Sequence, residues 1–114
     1  MAATAAPASA AIGTRIDIGW TVLENGMVKA SGSYSNGSGA YDLICISVQG
    51  RNLQLISTAC RRAPVNSQQV FSAPDMPCAT ARNYGHTANG AIEAFKNGRI
   101  VTWKQGNKID VLCG

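Results

Sequence analysis

Apolar and polar residues alternate along most of this chain, and the alternation is cut at short intervals by Asn- and Gly-containing turns. The last quarter, Ala91 to Cys113, reads AIEAFKNGRIVTWKQGNKIDVLC. It holds two turn signals, Asn97-Gly98 and Gln105-Gly106-Asn107, between three short runs. Asn-Gly favours a two-residue hairpin because a type I′ turn needs positive φ at both central residues. Folding there sets Ile92 opposite Trp103 and Ala94 opposite Val101. A second turn at Gly106 then sets Ile109 beside Trp103 and Val111 beside Val101. The predicted meander carries Ile92, Trp103, Ile109, Ala94, Val101 and Val111 on one face. Phe95, Ile100 and Leu112 lie on the other, with Glu93, Thr102 and Asp110. Ala91, Glu93 and Ala94 also suit a helix, but Gly90 and Gly98 frame too short a segment, so the strand is preferred.

The first half repeats the pattern. Thr14 to Glu24 runs TRIDIGWTVLE into Asn25-Gly26 and out through MVKASGSY. Asn36-Gly37-Ser38-Gly39 is the next loop, returning as YDLICISV, and Gln49-Gly50-Arg51-Asn52 turns into LQLISTAC. Pairing across each turn sets Tyr34 opposite Tyr41, Met27 opposite Val48, and Ile46 opposite Leu55. The three turns agree on one face: Ile18, Trp20, Val22, Met27, Ile44, Ile46, Val48, Leu53 and Leu55, with Lys29 and Ser31 as exceptions. A one-residue slip would reverse all of them. Trp20 and Trp103 are accordingly expected in the core.

Regularly spaced turns between short strands predict an all-β fold, a compact antiparallel β-sandwich (jelly-roll-like) or small barrel built of hairpins. Seven or eight strands and at most one short helix are expected. The domain spans residues 14–114, preceded by an Ala-rich arm over residues 1–13 that is expected to be flexible. Its opening, MAATAAPASAA, ends like a signal-peptidase site but lacks a positive and an apolar region before it, leaving a trimmed export signal or an assembly arm.

Cys45, Cys60, Cys78 and Cys113 contain no Cys-x-x-Cys pair, and with a single histidine a zinc site would need scattered ligands. An even count in a small chain favours two disulfides and an oxidising location. The register puts Cys45 opposite Ile56 and Cys60 opposite Tyr41, roughly 13 Å apart along the strands. That disfavours Cys45–Cys60 and leaves Cys60–Cys78 with Cys45–Cys113 as the preferred pairing.

Arg61 to Gly90 is interrupted by Pro64, Pro74 and Pro77 and reads as a long irregular loop. It carries Arg61, Arg62, Arg82, Tyr84 and His86, and the Tyr34–Tyr41 loop lies nearby. Arginine and tyrosine concentrate where binding energy is concentrated, and loops on a rigid scaffold carry binding residues. These seven residues are the candidate binding site. For catalysis, a Ser-His-acid arrangement lacks any supporting motif, and a ribonuclease-like set of His86, Glu93 and Arg82 is the best candidate, with no phosphate-cradle or metal motif beside it. The chain is therefore read as no enzyme, with no cofactor and no metal. Asn36-Gly37-Ser38 matches a glycosylation acceptor.

The chain has 114 residues, 46% of them apolar and 14% charged, enough for one core and against disorder. A net charge of +4 is mild and falls short of a nucleic-acid-binding signature. No run is long and apolar enough to span a membrane. Apolar residues on both faces of the terminal meander, with the Ala-rich arm, point to a homo-oligomer.

The stretch Gly19 to Ser47, a strand, an Asn-Gly turn followed by Met27-Val28, a small-residue strand and a Gly-rich loop, resembles the opening of β-sandwich tip domains in phage tail fibres and related virion-surface proteins. The closing FKNGRIVTWKQG is similar to the same family. The resemblance implies a non-enzymatic receptor-binding or assembly module on a virion surface or outside the cell, with a cell-surface glycan or another virion protein as partner. A second likeness, in Ile44-Cys45-Ile46 and Ile56-Ser57-Thr58-Ala59-Cys60, is to receptor-binding subunits of secreted five-subunit bacterial toxins. That likeness implies a Cys45–Cys60 bridge, against the register above.

Overall fold

The computed structural model describes residues 12–113, so the expectation of a flexible arm lies, for residues 1–11, outside the described residues. The chain is all-β. Among the described residues it forms ten strands, more than the seven or eight expected, in three antiparallel sheets. One sheet holds β1 (Thr14–Ile18), β4 (Ser31–Asn36) and β7 (Gln68–Ser72), in the order β1-β4-β7. The largest places β10 (Arg99–Asp110), β9 (Thr87–Lys96), β5 (Leu43–Gln49) and β6 (Leu55–Arg62) in the order β10-β9-β5-β6. A small third sheet joins β2 (Val22–Glu24), β3 (Met27–Lys29) and β8 (Met76–Pro77), in the order β2-β3-β8. The five-residue helix α1 (Cys78–Arg82) follows β8 directly.

Both Asn-Gly turns form where expected. Asn25 and Gly26 have φ of 52° and 75°, and Asn97 and Gly98 have 53° and 79°. Positive φ at both central residues is the type I′ condition. The register of β2 and β3 is the expected one, with Glu24 on Met27 and Leu23 on Val28. Their burial is the reverse of the expected face: Val28 and Ala30 are in the core, whereas Trp20 and Val22 are exposed. Thr21 causes this. It is buried, its N–H donates to Asn107 Oδ1 at 2.8 Å, and its Oγ1 accepts from Gly90 N–H at 2.7 Å. Anchoring Thr21 inward turns its neighbours outward.

Two expected pairings do not occur. β4 does not return on β5; it pairs with β1 and β7, with Tyr34 opposite Ile16 and Gln69. Asn36 diverts the chain. Its buried Nδ2 donates to the carbonyls of Tyr41 and Ala63 at 2.9 and 2.7 Å, and Tyr41 N–H donates back to Asn36 Oδ1. The loop thus crosses between sheets, and with its amide consumed in the core Asn36 is no glycosylation acceptor. Gln105-Gly106-Asn107 is not a turn either. β10 runs on as one twelve-residue strand, with a bulge between Gln105 and Lys108.

The disulfides differ from the preferred pairing. Cys45 bonds Cys60 and Cys78 bonds Cys113, with no free thiol among the described residues. The β5–β6 connection is longer than a tight turn. A 3-10 turn over Arg51–Leu53 occupies it, with Asn52 and Leu53 at φ of 59° and 63°. The extra length slides β6 by four residues, so Cys60 rather than Ile56 faces Cys45, at a Cα separation of 4.0 Å. Because four is even, the slide keeps Ser57, Ala59 and Arg61 on the expected face. A register shift after Val48 sets Leu55 opposite Gln49, so Leu55 and Leu53, expected in the core, are exposed.

The core lies between the first two sheets. Ile16, Tyr34 and Phe71 meet Ile44, Ile46, Val48 and Ile92, and Val28, Ala81, Cys78 and Val111 close it from the side of the third sheet and α1. Burying each of these larger apolar side chains stabilises the fold by roughly 1.5–3 kcal/mol. Gly32 lies directly over this layer, where a Cβ would stand 3.1 and 3.3 Å from the terminal methyls of Ile46 and Ile92.

Candidate functional site

The expected loop site divides in two. Arg61 and Arg62 end β6, opposite Ile44 and Leu43, while Tyr84 packs against the connection at the other end of β5 through Arg51 N–H donating to its carbonyl. The seven-residue length of β5 separates the two groups, roughly 20 Å. Tyr34 and Tyr41 belong to neither surface, being only 4% and 7% exposed. The Tyr34 hydroxyl lies 3.1 Å from Ser67 Oγ, and burial pushes the Tyr41 phenol above its usual range. Arg61 stacks 5.0 Å over the Phe71 ring and caps the core edge. Arg82 ends α1 and is exposed, as is His86, whose carbonyl accepts from Val111 N–H. His86 precedes β9 and Glu93 lies well along it, roughly 23 Å away in extended chain, so the ribonuclease-like set is not assembled.

A different surface emerges on the outer face of the largest sheet. Beyond the Asn97-Gly98 turn, Arg99 and Ile100 pair with Lys96 and Phe95, but Thr102 then pairs with Ala94. Val101 is the extra residue of a β-bulge. A bulge shifts every later side chain of its strand to the opposite face. Trp103 therefore sits opposite Glu93 instead of Ile92 and is 58% exposed. Nothing in the local composition marks the bulge, so simple hairpin counting misses it.

Three rows build the outer face from β6 to β10. Cys60, Cys45, Glu93 and Trp103 form one; Arg62, Leu43, Phe95 and Ile100 form the second; Thr58, Ser47, Ala91 and Gln105 form the third. Its middle consists of small residues, Cys45, Ser47 and Ala91, all of them buried. Next to the third row lies an amide cluster: Asn89 Nδ2 and Gln105 Nε2 both donate to Gln49 Oε1, at 3.1 and 3.0 Å. Ser47 Oγ and Thr58 Oγ1 are 2.9 Å apart. Around the β10 edge, Gln105, Gly106 and Asn107 share a shallow cleft with Trp20, which is 77% exposed. Two exposed indoles thus flank Gln105.

The face ends in a polar cleft of about 300 Å³, lined by Arg51, Asn52, Leu53, Thr87, Asn89 and Lys108 with Gly50 at its base. Two loops wedge it open. A Cβ on Gly85, which has φ of 129°, would stand 2.9 Å from Arg51 Cβ, so only glycine lets the Tyr84–His86 segment support Arg51 this closely. A separate groove crosses the β1-β4-β7 sheet, floored by Ser33 and Ser35 between Arg15 and Asp17 on one side and Gln68 and Val70 on the other. Arg15 and Asp17 pair at 2.7 Å, and their charges cancel there.

No family model matches the chain, and no curated protein and no solved structure matches it. All four cysteines are consumed in disulfides, leaving no thiolate ligand, and no helix among the described residues is long and apolar enough to cross a membrane. The two disulfides are the state expected in an oxidising compartment.

Proposed function

We propose that this protein is a non-enzymatic binding module, exposed on a virion or outside the cell, that meets a cell-surface glycan with the outer face of its largest sheet. The observation that carries the reading is the bulge at Val101, which turns Trp103 outward beside Glu93 and Gln105. An exposed indole offers a flat apolar plate for the C–H face of a sugar ring. The adjacent carboxylate and amide accept and donate hydrogen bonds to its hydroxyls. Tryptophan is among the side chains most enriched where binding energy concentrates, and bulges recur where a side chain must be re-aimed. The module works as a homo-oligomer, with symmetry mates presenting several such faces at once.

The test is a glycan array with the isolated protein and Trp103→Ala. Binding by the parent, lost in the variant with an unchanged melting temperature, supports the reading. Binding of no glycan, together with a defined oligomer by light scattering, replaces it with an assembly subunit that contacts other virion proteins. Cleavage of RNA that disappears in His86→Ala would make the protein an enzyme and overturn it.

One observation favours a second reading, a secreted receptor-binding subunit of the five-subunit toxin type. The Cys45–Cys60 bridge is the one that likeness implies. Against it, the α-helix among the described residues has only five residues where those subunits have a long one.

A further inference from the structure

The polar cleft at the end of the outer face holds two cations, Arg51 and Lys108, and neither belongs to an ion pair among the described residues. Around them stand neutral hydrogen-bonding groups: the Asn52 and Asn89 amides and the Thr87 hydroxyl. The nearest carboxylate along the strands is Asp110, opposite Thr87 and outside the cleft lining, so positive charge dominates there. The backbone is also unusual: Asn52 and Leu53 are consecutive non-glycine residues with positive φ, and Leu53 is 62% exposed. Such strain persists where surrounding structure holds it, and it clusters at ligand sites.

The cleft is continuous with the face already described. Asn89 lines the cleft and donates to Gln49 Oε1, which also accepts from Gln105, two residues from Trp103. From Asn89 to Glu93, Trp103's partner, is four residues of β9, roughly 13 Å. The two ends of this strip differ in charge. Glu93 makes the Trp103 end suited to uncharged hydroxyls and hostile to an anion, whereas Arg51 and Lys108 make the other end suited to one.

We infer that this strip binds an acidic oligosaccharide in one direction, with an uncharged ring on Trp103 and a carboxylate or sulfate group in the cleft between Arg51 and Lys108. The inference rests on the glycan-binding reading above and adds the charge and the polarity of the ligand.

The experiment measures binding of four probes by calorimetry in low salt: polygalacturonate oligomers, dextran sulfate oligomers, uncharged dextran oligomers and sodium sulfate alone. Proteins are the parent, Arg51→Gln/Lys108→Gln, Trp103→Ala, and Lys96→Gln/Arg99→Gln at the hairpin tip, which removes equal charge elsewhere. The parent is expected to prefer one or both acidic saccharides over dextran, the two acidic probes telling carboxylate from sulfate. Arg51→Gln/Lys108→Gln should weaken acidic binding by about tenfold or more, as loss of charge-assisted hydrogen bonds does, and leave dextran binding unchanged. Trp103→Ala should weaken all saccharides and leave sodium sulfate unaffected. Equal loss in Lys96→Gln/Arg99→Gln would reduce the effect to general electrostatic attraction and overturn the inference. Dextran binding as tight as acidic binding would overturn it while leaving the glycan reading intact, and absence of binding to every saccharide would defeat both. Melting temperatures of the variants, all at exposed positions, separate these outcomes from misfolding.

Discussion

Asn36 ties the crossover between two sheets together through a single side chain. It is fully buried, and its amide satisfies the carbonyls of Tyr41 and Ala63 and the N–H of Tyr41, joining the crossover loop to the end of β6. Removing one partner of a buried hydrogen bond exacts the desolvation cost of the group left behind. Asn36→Ala strands three backbone groups, and the expected loss is about 3 kcal/mol, measurable by urea unfolding. A loss no larger than that of a surface substitution would show that the loop is held by other contacts. Asp17 illustrates a smaller effect. Hydrogen bonding from Arg15, with Lys104 adding to it at 3.4 Å, holds its carboxyl below the usual carboxylate range. A depressed folded-state pKa stabilises above the unfolded value and loses that contribution as pH falls through the folded one. Asp17→Asn should therefore lower the melting temperature slightly at about pH 6, with the difference vanishing as pH drops well below about 4. Because these side chains are largely exposed, added salt should shrink it too. A difference that grows on acidification would contradict this assignment.

The β9–β10 hairpin determines which surface the protein offers. Val101 is the extra residue, and it is half-exposed, so little apolar burial depends on it. Deleting Val101 leaves Ile100 on Phe95 and Thr102 on Ala94, so Trp103 should stay beside Glu93. Stability should change by less than about 1 kcal/mol. With Trp20→Phe to isolate one indole, iodide should quench Trp103 equally well before and after the deletion. A blue-shifted, protected Trp103 would show that the strand re-registers and that the bulge is not where it is described. The same hairpin shows what was legible beforehand. Asn97-Gly98 announces its turn because the required φ values are a property of those two residues. Val101 announces nothing, and Gly106 and Asn107 announce a turn that does not form, because Asn107 instead leaves the ladder to pair with the backbone of Thr21. Hairpin counting therefore marks the Asn97-Gly98 hairpin but splits β10 at Gly106 and turns Trp103 and Trp20 to the wrong side. The candidate loop failed for a related reason. Residues of one apparent loop, Arg62 and Tyr84, are separated by β7, β8 and α1, elements that Pro64, Pro74 and Pro77 make look like loop. Pro77 begins no break at all; it leads straight into α1.

At the scale of the whole molecule, the two disulfides do different work. Cys45–Cys60 links strands that seven register pairs already hold together, closing a separation of 15 residues. Cys78–Cys113 closes 35 residues and ties the start of α1 to the segment just beyond β10. In the chain-entropy account a bridge destabilises the unfolded chain more as its loop lengthens, giving about 3 kcal/mol for the first and about 3.8 kcal/mol for the second. The real gap should be wider. Without Cys45–Cys60 the β5–β6 ladder still confines the same residues. Without Cys78–Cys113, the main polar tie on the segment after β10 is Val111 N–H to the His86 carbonyl. Cys78→Ser/Cys113→Ser should therefore cost more than Cys45→Ser/Cys60→Ser, and it should do so locally first. Hydrogen exchange ought to speed up at Val111 and through α1 before global unfolding, while the centre of β5 stays protected. The consequence for binding follows from the position of the cleft. The Tyr84–His86 segment supporting Arg51 lies between α1 and β9, so releasing this bridge should loosen the cleft and weaken anion binding. Losing Cys45–Cys60 should leave the cleft intact. If both pairs of serine variants lose stability and binding alike, the molecule behaves as one cooperative unit and the division of labour between the bridges is wrong.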